Sequence, residues 1–208
     1  MVKSNCEASI VVGHATGVVL CVVGVKGVLT ILGVVLSFSC LSAFSQTDAP
    51  VKTIPSLDVQ RYLGTWYEIA KYPNWIQKKC VSNTKAVYSS RSDGTLKVLN
   101  SCKTAGGDIA EAEGTARQVG AQDSPKLEVR FAPAWLSFIP LVWGDYWVID
   151  LDPQYQVAVV SDSRREYLWI LSRTPQLDKK VYEETLQRIQ AQQFDARKLE
   201  LTTQTSVQ

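Results

Sequence analysis

The sequence predicts an all-β domain: an eight-stranded, up-and-down antiparallel barrel with a C-terminal α-helix and a short final strand. Between residues 64 and 173, short segments rich in Val, Ile, Tyr, Trp and Thr alternate with turn signals, which is typical of a barrel or sandwich. The links between them are short, which favours a meander of neighbouring strands. After Pro175 the spacing of apolar residues changes from that of strands to that of a helix.

A leader precedes this domain. Residues 10–44 contain one charged residue, Lys26, which is followed by an apolar stretch and by small residues just before Gln46. This order is typical of a secretory signal cleaved before Gln46. Because 25 residues ahead of Lys26 exceed an ordinary n-region, we expect the true translation start near Val25.

Two alternatives for the leader, residues 1–45, stay open. The apolar stretch approaches the ~18 to 20 residues that span a bilayer, so it could be an uncleaved anchor. Cys40 follows Ser39, which suits acylation of a bacterial lipoprotein, although Leu36 lies one place too far upstream for that signal.

Residues 46–208 are long enough for one domain with one core. Without Lys3, Lys26 and Glu7 of the leader, 20 basic and 19 acidic residues remain of the original 22 and 20, a net charge of +1. No concentrated basic surface is expected, which argues against nucleic acid as a partner. The exported part keeps two of the five cysteines, Cys80 and Cys102, which suggests one disulfide.

The eight predicted strands cover, in order, residues 65–70, 83–90, 95–101, 109–119, 126–131, 145–151, 156–160 and 166–172. Gly94 supplies the positive φ of a turn between the second and third strands, and Asp152 with Pro153 forms a turn before the seventh. After Pro175, apolar and long side chains recur at i, i+4, i+7 and i+11 behind Asp178, a candidate N-cap. A short strand follows at 198–202.

The link between the fifth and sixth strands is unusually apolar. The run 135–143 contains Trp135, Phe138 and Trp143 with no charged residue. Connectors are normally polar, and apolar surface patches mark a ligand mouth, a partner or a membrane contact. The run is therefore interpreted as a lid over a mouth, a dimer patch or a segment inserted into a bilayer.

Two segments carry a resemblance to a known family. Gly64-Thr65-Trp66-Tyr67-Glu68-Ile69-Ala70 in the first strand and Trp169-Ile170-Leu171-Ser172-Arg173-Thr174-Pro175 at the eighth resemble the lipocalin family, in particular its bacterial outer-membrane branch. The similarity extends over about residues 56–203. It implies a calyx that binds a fatty acid or lysophospholipid in the bacterial envelope, in a protein that is usually a lipoprotein and can dimerise. No cofactor or metal is implied.

The resemblance and the topology together assign two ends to the barrel. Trp66 and Arg173 lie at the start of the first and the end of the eighth strand, so they share one end, where the family stacks the guanidinium on the indole as a structural signature with Gly64. The links after strands one, three and five lie at the opposite, open end. Cys80 and Cys102 fall there too, so their disulfide would tie a lid loop to the mouth. A metal pair lacks further ligands nearby.

The candidate ligand residues form three groups. Wall positions, which could equally be ordinary core, are Tyr88, Phe131 and Trp147. The mouth is predicted to contain Tyr72, Trp75, Trp135, Phe138 and Trp143. Arg164 and Arg165, in the link between strands seven and eight, suit a phosphate or carboxylate head group, or else form a solvated turn.

An enzyme is the competing class. His14, the only histidine, lies in the leader, so the exported domain has no Ser-His-Asp or Cys-His triad and no histidine zinc site. Asp150 and Asp152, or Glu111 and Glu113, could do acid–base work but are better explained by turns and solvent. We therefore expect a non-enzymatic lipid carrier associated with the outer membrane or periplasm, with a calyx enzyme or a haem or pigment carrier as alternatives.

Overall fold

The computed structural model describes residues 49–205. The predicted leader, its cleavage site and Cys40 lie outside these residues. The described part is one antiparallel nine-stranded sheet whose order is β2-β3-β4-β5-β6-β7-β8-β1-β9, and an additional pairing of β1 with β2 closes the barrel. All eight predicted barrel strands are present and each pairs with its neighbour in sequence, which confirms the up-and-down barrel.

The strands have the bounds β1 Gly64–Lys71, β2 Cys80–Ser90, β3 Leu96–Thr104, β4 Ile109–Gln118, β5 Lys126–Arg130, β6 Gly144–Leu151, β7 Val157–Ser161, β8 Leu168–Ser172 and β9 Glu200–Leu201. A short helix α1, Val59–Tyr62, precedes them, and helix α2, Lys179–Ala191, follows β8. Asp58 and Asp178 cap these helices by accepting from backbone N–H groups two and three residues on. The predicted N-cap Asp178 is thus confirmed.

Two buried clusters occupy the two faces of the wall. The inner cluster fills the barrel around Trp66 and Leu127. The outer cluster lies between the outside of β1 and β6–β8 and helix α2, around Ile170 and Ile189. Because successive strand residues point to opposite faces, membership of a cluster shows which way each side chain points.

β9 and the residues after it occupy a gap in the wall. β1 pairs with β2 only over its first half, Gly64–Tyr67, and pairs with β9 at Ala70 and Lys71. Beyond β9 the chain continues along β2, where the Asn83 N–H donates to the Thr203 carbonyl at 2.8 Å. The C-terminal segment therefore fills the opening between β1 and β2. Among residues 49–205, no helix combines the length and apolar character needed to cross a membrane.

Glu68 lies buried at this seam. Its carboxylate accepts from the Thr202 hydroxyl and from the Gln77 side-chain amide, both at 2.5 Å. Desolvation by burial raises its pKa, and these hydrogen bonds oppose that effect only in part. The pKa of Glu68 is therefore higher in the folded state than in the unfolded chain. At pH values between these two pKa values, the folded state holds a proton that the unfolded chain has lost.

Glu68→Gln should remove this dependence on pH. As the pH falls from neutral through the raised pKa toward the ordinary value of 4.5, wild type should gain stability relative to the variant. Urea unfolding at pH 7 and pH 5 measures the difference, and Glu200→Gln, at an exposed position of β9, is the control. If the free energies of unfolding of wild type and Glu68→Gln differed by the same amount at both pH values, the raised pKa assigned to Glu68 would be contradicted.

Candidate functional site

The barrel is closed at the end where β1 begins. The segment before β1 crosses this end, where Leu57 and Tyr62 are fully buried in the inner cluster. The backbone N–H of Leu57 donates to the Asp123 carbonyl at 2.8 Å, which ties the segment to the β4–β5 link. We call this closed end the floor.

Trp66 and Arg173 hold the floor together. The indole of Trp66 has no exposed surface and donates from Nε1 to the Tyr62 carbonyl at 2.8 Å. The Arg173 guanidinium lies 3.9 Å from the centroid of the indole. It also donates to the carbonyls of Tyr155, Thr65 and Arg61 at 3.1, 2.9 and 2.8 Å, so one side chain joins three segments.

Three phenol groups meet inside the barrel above Trp66. Tyr62 comes from α1, Tyr88 from β2 and Tyr146 from β6; we call them the tyrosine cluster. The Tyr88 hydroxyl donates to the Tyr146 hydroxyl at 2.8 Å, and the hydroxyls of Tyr62 and Tyr146 are 2.9 Å apart. Burial raises the pKa of Tyr88 to about 12 and raises the pKa values of the other two well above 10.0, so all three stay neutral.

Other inward side chains keep part of their surface accessible. They point into the barrel because they pack on the inner cluster, and each is only partly buried: Ala86, Val129, Tyr146 and Trp169. Phe131 lies beside them, since a Cβ added at Gly114 would come within 2.8 Å of its ring. Because Gly114 has no side chain, the ring of Phe131 has room to pack against it. The inner face of the wall is thus incompletely covered at these positions, and the side chains that keep accessible surface there are mainly aromatic and aliphatic.

The open end presents apolar side chains to solvent. In the β5–β6 link, two 3-10 turns, Ala134–Leu136 and Pro140–Val142, hold Trp135, Phe138 and Leu141 at 71%, 77% and 93% exposure. We call these three residues the rim. Trp75, in the β1–β2 link, is 69% exposed and donates from Nε1 to the Tyr167 hydroxyl at 3.1 Å. An exposed apolar group of this size marks a contact surface.

A disulfide joins Cys80 and Cys102 at this open end; the two cysteines are 22 positions apart in sequence and their Cα atoms are 5.5 Å apart. It holds the start of β2, just after the β1–β2 link, against β3. In the chain-entropy model, closing a loop of this size stabilises the fold by about 3 kcal/mol.

Reduction of this disulfide should lower the free energy of unfolding by about that amount, roughly 3 kcal/mol. Urea unfolding with and without a reductant measures the change. The double variant Cys80→Ser and Cys102→Ser should match the reduced protein and should not respond to the reductant. Equal midpoints for oxidised and reduced wild type would show that the disulfide adds no stability.

Three predicted ligand positions are corrected by the structure. Trp147 faces outward, because it pairs with Lys126 across β5–β6, lies 4.1 Å under that ammonium and packs on the outer cluster. Tyr146, one residue earlier, is the inward side chain. Tyr72 is buried in the outer cluster and donates to the Asp195 carbonyl at 3.0 Å.

Trp143 is the third correction. Its indole lies outside the barrel, with the guanidinium of Arg117 at 4.0 Å and that of Arg130 at 5.2 Å from the ring centroid. Trp143 donates from Nε1 to the Ser137 carbonyl at 2.9 Å, which folds the apolar link against the outer wall. It therefore positions the rim and does not line the mouth.

The two arginines of the β7–β8 link differ in role. Arg165 donates to the carbonyls of Gln192 and Ala49 at 3.2 and 2.6 Å, so it fastens the end of α2 and the N-terminal segment and is not free for a head group. Arg164 remains exposed beside Glu166, at 3.0 Å. The predicted pair is thus divided between a structural and a solvated position.

Three of the four carboxylates considered for catalysis have structural partners, and the fourth, Glu111, is exposed on β4. Asp150 accepts from Arg188 of α2 at 2.8 Å, and Asp152 accepts from the backbone N–H groups of the turn before β7. Glu113 accepts from Arg91 at 2.9 Å and pairs with Lys97 at 2.8 Å. Across residues 49–205, no three His, Cys, Asp or Glu side chains stand close enough to hold a metal ion.

Sequence reasoning missed several interior residues. Tyr146 and Trp169 both point inward, and the Trp169 Nε1 donates to the Gln77 amide oxygen at 2.9 Å. A signal for Tyr146 was present, since it alternates with the inward Val148 along β6. No sequence signal marks Tyr62, because its inward position depends on how α1 crosses the floor.

A barrel closed at one end, with an accessible apolar interior and an open mouth, is a calyx, the class of eight-stranded barrel that holds one small ligand. The sequence profile of a lipocalin-like domain matches residues 57–204. The chain belongs to the lipocalin family, whose members are in general binding proteins for hydrophobic ligands.

Relatives come from plants and bacteria. Temperature-induced lipocalin-1 of Arabidopsis thaliana is 40% identical over 156 residues, 74% of this chain and 83% of that protein. The outer membrane lipoprotein Blc of Escherichia coli K12 is 38% identical over 149 residues, 71% of this chain and 80% of that protein. Insecticyanin from the tobacco hornworm Manduca sexta has the same fold, with a TM-score of 0.59 at 20% identity over 75% of this chain and 85% of that one.

Proposed function

We propose that this protein is a non-enzymatic carrier that takes the acyl chain of a fatty acid or lysophospholipid into its calyx at a membrane surface. The observation that carries the proposal is the arrangement of the two ends. Trp66 and Arg173 close one end, whereas the other combines an accessible apolar interior with the exposed rim. One acyl chain fits a barrel of eight strands.

The rim supports the contact with a bilayer. Trp135, Phe138 and Leu141 belong to one link without charged residues, so their transfer into the apolar edge of a membrane is favourable. A rim buried in a homodimer is the competing interpretation. Sedimentation of the protein with and without vesicles separates the two, since a dimer forms in the absence of lipid.

The cellular place of this activity is also a proposal. The leader predicted at residues 1–45 supports export, and the relative named outer membrane lipoprotein supports the bacterial envelope. The disulfide between Cys80 and Cys102 agrees with an oxidising compartment. Soluble carriage in the periplasm and tethering through Cys40 are both compatible with a calyx that opens toward a membrane.

Blocking the calyx tests the carrier function. Val129 points inward and is only partly buried, so Val129→Trp should fill the ligand space and weaken fatty-acid binding at least tenfold, a loss on the order of 1.4 kcal/mol. Hexadecanoic acid is titrated against the purified protein by calorimetry. Val119→Trp, on the exposed surface after β4, is the matched control and should bind like wild type.

Circular dichroism must show that both variants keep the wild-type fold. Equal affinity of wild type and a folded Val129→Trp would place the fatty acid outside the calyx and contradict the proposal. Conversion of the fatty acid or lysophospholipid into a product during the titration would favour the enzyme.

A further inference from the structure

One hydroxyl proton of the tyrosine cluster has no hydrogen-bond acceptor within the cluster. The hydroxyls of Tyr62, Tyr88 and Tyr146 carry three protons, and only two hydrogen bonds connect them. Tyr88 donates one proton to Tyr146. In the second bond either Tyr62 or Tyr146 is the donor, so the proton of the other has no acceptor among the described residues.

Tyr146 is the member of the tyrosine cluster that is not fully buried. Tyr146 points inward from β6, opposite the fully buried Leu127, yet it keeps accessible surface. Tyr62 lies directly beneath it, with its ring centroid 4.8 Å from that of Trp66. When Tyr62 is the donor of the second bond, the free O–H is that of Tyr146, above the floor, where the inserted end of a ligand would arrive.

The chemistry of this place favours a neutral acceptor. The three phenols stay protonated because burial raises their pKa values, so they offer a donor and no charge. Arg173, the nearest cation of the floor, has its guanidinium on Trp66 and on three backbone carbonyls. An inserted carboxylate would lose its hydration without gaining a cationic partner, which is costly.

We infer that the tyrosine cluster recognises a neutral oxygen, such as a hydroxyl or carbonyl, at the inserted end of an otherwise apolar ligand. The inference rests on the proposed carrier function and makes it more specific. A plain acyl chain would place its terminal methyl group against a hydrogen-bond donor, whereas an oxygenated chain end would accept the spare proton. A buried donor without a partner is unfavourable, so the two ligand types should be distinguished.

The test compares two acids that differ only at the inserted end. Hexadecanoic acid and 16-hydroxyhexadecanoic acid are titrated against wild type and against the triple variant Tyr62→Phe, Tyr88→Phe and Tyr146→Phe. The triple variant removes all three hydroxyls together, so no phenol is left without its partner and the ring volumes are kept. Tyr167→Phe, which removes a hydroxyl of the open end near Trp75, is the control.

The measured quantity is the affinity for the hydroxy acid divided by the affinity for the plain acid. This ratio should be about tenfold higher in wild type and in Tyr167→Phe than in the triple variant. The plain acid should bind the triple variant at least as tightly as wild type, because its methyl end no longer meets an unpartnered donor there. An unchanged ratio of the two affinities in a folded triple variant would overturn the inference and leave the carrier function intact. Binding of neither acid to wild type would contradict the carrier function, and this inference with it.

Discussion

Replacement of Trp66 by alanine is expected to lower the free energy of unfolding by about 3–5 kcal/mol, the range for a large aromatic residue in a core. Trp66 has no exposed surface and lies among Tyr62, Leu57 and the guanidinium of Arg173. The alanine would leave a cavity at the floor and remove the bond from Nε1 to the Tyr62 carbonyl. Because α1 rests on this indole, the floor should loosen with it.

Arg173 should share this effect, since the two side chains form one unit. Arg173→Lys keeps the positive charge but cannot donate to three carbonyls at once, because an ammonium is a compact point charge. We expect the double variant Trp66→Ala and Arg173→Lys to lose less stability than the sum of the single variants.

Urea unfolding followed by far-UV circular dichroism measures these losses, and Trp75→Ala at the exposed open end is the matched control, with a change of about 0.5 kcal/mol or less. A Trp66→Ala variant within about 1 kcal/mol of wild type would show that the floor depends on other contacts.

Removal of two of the three rim side chains should strongly weaken association with vesicles. Trp135→Ser with Phe138→Ser removes two side chains that are 71% and 77% exposed, each worth about 1.5–3 kcal/mol when buried in an apolar phase. The double variant should therefore partition into vesicles of phosphatidylethanolamine and phosphatidylglycerol at least about 100-fold more weakly. Stability should change little, because neither side chain belongs to a buried cluster.

Vesicle flotation measures the partitioning, with Val119→Ser, at an exposed position just after β4, as the control. Uptake of a fatty acid from solution, without vesicles, should persist in the double variant because the calyx is intact. Equal flotation of wild type and the double variant would contradict a role for the rim at the membrane.

The order of the strands, the helix with its Asp178 cap and the pairing of Cys80 with Cys102 were predictable because they depend on local patterns and on cysteine count. The direction of individual side chains was not. Trp147 points outward because the register of β5 and β6 places it opposite Lys126, and register is a property of two strands together. Irregularities in β1 after Glu68 and in β6 after Val148 shift the alternation further.

The roles of the two arginines in the β7–β8 link could not be told apart from the sequence either. Arg165 adopts a φ of 59° in its turn and donates to carbonyls of the N-terminal segment and α2, partners that are 116 and 27 residues away along the chain. A turn with two arginines gives no sign of such distant partners. The tyrosine cluster likewise joins α1, β2 and β6, so it exists only once the barrel has closed.

Native mass spectrometry of the protein purified from its native cells tests the central claim most directly. The carrier account predicts one lipid with an acyl chain per protein, released on unfolding, and loss of that lipid in Val129→Trp but not in Val119→Trp. A wild-type protein that carries no lipid and takes none from vesicles, or an equally loaded Val129→Trp, would contradict it.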